Sequence, residues 1–78
     1  MPVMKELLQY MARSLVRNPE EVRVHTVSSG YSVILELEVA PEDKGIVIGR
    51  RGRVANSMRS LLRVAAACEG KRAVLDIV

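Results

Sequence analysis

The chain of 78 residues has no tryptophan, no phenylalanine, two tyrosines, one histidine, one cysteine and three prolines. Each scarcity excludes something. Without Trp or Phe, the apolar half of the composition must build an aliphatic core. A single cysteine, Cys68, rules out an internal disulfide or a cysteine-based metal site and fits a reducing compartment. No apolar run approaches the ~18 residues that a membrane span needs. The N-terminus shows no basic region followed by a long apolar one, as a secretion signal would. A soluble, cytoplasmic protein without a membrane partner is expected. The lone His25 stands in an alternating segment with no cysteine, serine or carboxylate gathered around it by spacing, so it reads as a strand residue, not an acid–base catalyst. No catalytic residue, metal site or cofactor is expected.

What the chain does have is charge divided unevenly. Residues 1–49 hold five Lys/Arg and seven Asp/Glu, net −2, whereas residues 50–78 hold seven and two, net +5. A positive end attracts polyanions, nucleic acid foremost, although charge alone is equally consistent with a solubilising surface.

The patterning predicts six elements. Val3, Leu7, Leu8, Met11 and Leu15 recur at the spacing of one helical face over residues 2–17, and Asn18-Pro19 stops that helix. Residues 22–27 are β-branched and roughly alternating, residues 28–30 form a turn, and "YSVILELEV" alternates strictly, with Val33, Leu35, Leu37 and Val39 on one face. Pro41-Glu42-Asp43 signals a helix start, the acids needing only the positive end of the dipole as explanation. That short helix ends at Gly49. A second follows over residues 53–69, with Val54, Met58, Leu61, Leu62 and Ala65 facing the core and Arg53, Asn56, Arg59, Ser60 and Arg63 opposite. Gly70 caps it, and "RAVLDIV" closes the chain as a strand with Ala73, Leu75 and Ile77 on one side. Met4, Met11 and Met58 read as core fillers. The order is α-β-β-α-α-β, an α+β domain over residues 1–78. The hairpin should be antiparallel and the last strand parallel to the second through the helical crossover. Three helices then cover one face of a three-stranded mixed sheet.

Between the last two helices stands Gly49-Arg50-Arg51-Gly52. Each glycine would cost about 1 kcal/mol inside a helix, so this is a turn. At the N-terminus of a helix it offers unpaired N–H groups and a positive dipole end, with Arg50, Arg51 and Arg53 adding charge. Glycine at both ends would let a sugar-phosphate backbone approach closely. Such a loop holds phosphates and does not read bases.

These residues carry a resemblance. "VIGRRG", set between two helices and followed by an amphipathic basic helix, resembles the V-I-G-x-x-G core of a type II KH domain, whose loop clamps about four nucleotides of backbone. The whole length, with "APEDKGIVIGRRGRVANSMR" and "KRAVLDIV", is similar to the small bacterial single-KH RNA-binding proteins. The resemblance implies a clamp at Gly49, Arg50, Arg51 and Gly52 for single-stranded RNA. It also implies an apolar groove for bases lined by Ile48, Val54 and Ala55, and a Gly45 that lets the two helices pack closely. Arg53, Asn56, Arg59 and Arg63 continue the basic face by helical geometry alone. A homodimer, and pairing with a second KH-containing protein, are implied as well. The function so implied is that of a low-specificity RNA chaperone or post-transcriptional regulator.

Two other readings compete. A protein-interaction module would act by dimerising or by docking onto another RNA-binding protein. A helix-turn-helix DNA binder would use residues 53–69 as its recognition helix. The double-glycine turn argues against the second. Tyr10 and Tyr31 both lie far from the loop in sequence, so no aromatic platform for stacking is expected there.

Overall fold

The computed structural model describes residues 3–78. Helix α1 (Val3–Leu15) buries Met4, Leu8 and Ala12, the i, i+4, i+8 stripe of one face, with Leu7 and Met11 packed beside it. It ends two residues earlier than its apolar pattern predicts. The Val16 amide still bonds back to the Ala12 carbonyl, but the Arg17 and Asn18 amides turn to the Asp43 carboxylate. A distant acceptor competes for the donors that a longer helix would use.

Strands β1 (Arg23–Ser29) and β2 (Ser32–Glu38) form the antiparallel hairpin, in register from Arg23↔Glu38 to Ser29↔Ser32. Ser28 and Ser29, expected in the turn, are paired strand residues. Only Gly30 and Tyr31 make the connection, with a positive φ at Gly30 as the first loop position of a type II′ turn requires. Strand β3 (Arg72–Ile77) lies parallel to β2, with Val33↔Ala73, Leu35↔Leu75 and Leu37↔Ile77 as partners. The sheet order is β1-β2-β3. Val33, Leu35 and Leu37 are buried on the helix side, as their strict alternation requires.

Helix α2 (Lys44–Ile48) is a five-residue segment after a 3₁₀ turn at Pro41–Asp43, and α3 is the long helix Arg53–Cys68. All three helices cover one face, so the mixed α+β arrangement is as predicted. One detail of α3 is not. Its buried stripe is Ala55, Met58, Leu62 and Ala66, while Leu61 is 53% exposed and Val54 and Ala65 sit at the margin. The buried face is thus turned by about one residue, toward Ala55 and Ala66 and away from Leu61. Cys68, at the end of the helix, is exposed and free. Its carbonyl end is closed by Gly70 and Lys71 amides bonding to Ala67 and Ala66.

Asp43 is the second departure. It is the buried charged side chain of the described residues, and a helix dipole alone does not account for it. Oδ1 accepts the Arg17 amide at 3.3 Å, and Oδ2 accepts the Asn18 amide and the Asn18 side-chain Nδ2, each at 3.0 Å. Burial alone would raise its pKa. The Asn18 side-chain hydrogen bond, the two backbone N–H donors and the Arg17 charge outweigh burial and hold it below the ordinary 3.8.

Candidate nucleic-acid interface

Helix α2 ends where the Gly49 amide bonds to Gly45 O, and the chain then turns within a single 3₁₀ segment, Arg50–Gly52. Gly49 (φ 76°), Arg51 (φ 59°) and Gly52 (φ 73°) all have positive φ, and Arg51 is the one non-glycine residue among those described that does. A long side chain in the left-handed region costs roughly 1–2 kcal/mol.

The two glycines have different reasons to be glycine. A Cβ on Gly49 would stand 2.8 Å from Val54 Cβ and 2.9 Å from Val54 N, so the first turn of α3 itself leaves no room. A Cβ on Gly52 would meet nothing nearer than Asn56 Nδ2 at 3.9 Å. Only Gly52 therefore borders open space that a ligand could use. Gly45 does not serve close helix packing either: a Cβ there would meet no atom within 4 Å.

The start of α3 is left unfinished. Gly52 occupies the N-cap and provides no side-chain hydrogen bond, and the first turn holds no acid. The arginines at positions 50, 51 and 53 are all exposed. Among the described residues the one ion pair is Arg23–Glu38 at 3.9 Å, so none of these three is neutralised by a carboxylate. The Gly52 and Arg53 amides bond within the turn, to Gly49 and Arg50, but the positive dipole end and three free guanidinium groups converge there, an arrangement that suits an anion.

The remaining candidate residues separate. Ile48 is 42% exposed at the end of α2. Val54 turns toward α1 and lines a largely apolar groove of about 430 Å³ with Tyr10, Met11, Leu15, Met58 and Leu61, which Ile48 does not line. Ala55 is buried in the core and presents no surface, so the three do not form the common base groove that the resemblance implies. Tyr10, remote from the loop in sequence, lines the groove that Arg53 borders. Asn56 accepts a hydrogen bond from Arg59 at 3.0 Å, and Arg59 reaches the Leu75 carbonyl on β3 at 3.5 Å. That contact spans a second cleft, of about 400 Å³, where Arg59 and Arg63 of α3 face Lys71, Arg72 and Val74 at the free edge of β3. Lys71 and Arg72 were missed by sequence reasoning. Their adjacency was visible, but only the strand register sets them opposite the α3 arginines.

An αββααβ chain with β2 and β3 parallel and a G-x-x-G turn between its last two helices defines a class of fold, the type II KH domain. The same fold occurs in the crystal structure of Era in complex with MgGDPNP and nucleotides 1506–1542 of 16S ribosomal RNA. There the TM-score is 0.64 over 95% of this chain at 17% identity, a likeness of fold alone, and this chain spans 28% of that one's length. The family model for the KH domain of KhpA/KhpB matches residues 5–77, and the chain belongs to that family. Relatives include the RNA-binding protein KhpA of Clostridium acetobutylicum, 51% identical over 75 residues, covering 96% of this chain and 100% of the relative. KhpA of Clostridium perfringens is 48% identical with the same coverage, and KhpA of Aquifex aeolicus is 37% identical over 100% of this chain and 99% of its own.

Proposed function

We propose that the protein binds single-stranded RNA, with Gly49–Gly52 and the first turn of α3 holding the sugar-phosphate backbone. The observation that carries this is the start of α3: an uncapped helix N-terminus with three unpaired arginines and a turn held in left-handed backbone at Arg51. A helix start gains nothing from these features unless an anion completes it. From the turn, the strand runs into the cleft between α3 and β3, where Arg59, Arg63, Lys71 and Arg72 supply further cations. Contacts of this kind recognise phosphate, so sequence preference is weak, in keeping with an RNA chaperone or post-transcriptional regulator. The curated relatives named as RNA-binding proteins support the same ligand. Fluorescence anisotropy with a labelled single strand, across a salt series, tests it. Binding falls with salt at a log–log slope near −0.7 per phosphate neutralised, and a salt-independent signal contradicts the reading.

Self-association is the second part of this proposal, favoured by the groove between α1 and α3. Tyr10, Leu15 and Leu61 are 73%, 42% and 53% exposed along it, an apolar strip that a second copy would cover. Two copies on one strand would also raise the avidity of a weak clamp. Sedimentation of the parent and of Leu61→Arg decides this: a concentration-dependent mass is expected only for the parent. A single-chain mass for the parent at every concentration removes the dimer.

A further inference from the structure

The clamp turn hangs from a very short element. Helix α2 has five residues, no side-chain cap and one buried side chain, Val47. A helix of that length has no stability of its own, so its direction must be imposed from outside. Its C-terminal end is the turn. Its N-terminal end is Asp43, whose buried carboxylate accepts three hydrogen bonds from Arg17 and Asn18, in the connection between α1 and β1. Among the described residues, no other polar side-chain bond ties the segment from Pro41 to Gly52 to a distant part of the chain.

We infer that Asp43 is a positioning residue for RNA binding: its link to Arg17 and Asn18 fixes the tilt of α2 and so the place of Gly49–Gly52 beside α3. This rests on the reading of that turn as the RNA contact. From Asp43 to Gly49 the helical rise carries the chain about 9 Å. A tilt of about 10° at the anchor therefore displaces the turn by about 1.5 Å, several times the range over which an N–H···O bond stays strong. The acidic residue before the clamp thus does more than answer a helix dipole. Its ionised form supplies acceptors for all three donors, whereas an amide of the same shape supplies a single acceptor oxygen and turns donors of its own toward donors.

Asp43→Asn tests this, compared with the parent and with Arg50→Asp/Arg51→Asp, all well below their melting temperatures. In RNA-free Asp43→Asn, the amide signals of residues 49–53 should shift and exchange faster with solvent, while the amides of Val33, Leu35 and Leu37 stay protected. RNA affinity per folded molecule should fall by about tenfold, the scale of one charge-assisted hydrogen bond. Should Asp43→Asn fold poorly, Asn18→Ala removes one donor and should move the same amides and the affinity in the same direction by less. Unmoved turn amides in both variants overturn the inference. So does undiminished affinity in Asp43→Asn when the double Asp variant has lost binding. Undiminished binding in the double Asp variant instead defeats the clamp reading itself, which keeps the two failures apart.

Discussion

Two helices begin close together in this chain, and their beginnings differ in charge and in anchoring. Helix α2 starts at Pro41-Glu42-Asp43, with acids at the positive end of the dipole and Asp43 buried with every oxygen engaged. Helix α3 starts at Gly52 with no side-chain cap, no acid in its first turn, and arginines at positions 50, 51 and 53. Cations at a helix N-terminus are unfavourable by about 0.3–1 kcal/mol each, and left-handed Arg51 adds to that cost. The first start also lacks a side-chain cap, but Asp43 anchors it to the connection between α1 and β1. The second is stable only because the rest of α3 is well packed, and it is the one whose defects an anionic ligand would relieve.

The packing that carries α3 sets the scale for breaking this contrast. Leu62 is 1% exposed in the core, so Leu62→Ala should cost roughly 2–5 kcal/mol by leaving a cavity. Chemical denaturation gives the value, and RNA binding should be lost only in proportion to unfolding.

Acid should separate the two starts. The Asp43 pKa is depressed in the folded protein, so its contribution is fully present above the ordinary 3.8 and is lost as pH falls through the lower folded value. Stability should therefore decline below about pH 4 more steeply in the parent than in Asp43→Asn. The arginines at the start of α3 do not titrate in this range. Denaturation midpoints of both proteins from pH 7 to pH 2 measure the difference, and parallel curves would detach Asp43 from acid stability.

The left-handed backbone at Arg51 should show up as a smaller effect on stability. Arg51→Gly should raise stability by up to about 1 kcal/mol, since glycine accepts φ near +60° and removes a cation from the dipole end, with its added chain entropy offsetting part of the gain. A loss of stability would mean that Arg51 is held by interactions and not strained. Leu61→Ala should change monomer stability by less than about 0.5 kcal/mol, as exposed positions usually do. Melting curves at low concentration resolve both.

Much of this was legible in the residues. Strict alternation at Val33, Leu35 and Leu37 identified the central strand and its buried face, and the helical crossover required β3 to run parallel to it. The Gly49–Gly52 turn was placed because two glycines around two arginines make no sense inside a helix. The α3 stripe was misjudged by one position because apolar weight favours Leu61 over Ala55 and Ala66, whereas the structure buries the two alanines. Asp43 was underread because a local rule already explained it, and its partners Arg17 and Asn18 lie 26 and 25 residues away in sequence. The cleft holding Lys71 and Arg72 depends on β3 meeting α3, a tertiary fact that no local pattern records.

Whether the start of α3 is an RNA phosphate site is decided by Arg50→Asp/Arg51→Asp. RNA titration and thermal melting should be performed on the same preparation. Binding to a single strand should be abolished while the melting temperature stays unchanged or rises slightly, because acids suit that end of the dipole. Binding as tight as the parent's, in a variant that melts like the parent, would contradict it and leave self-association as the better reading of this surface.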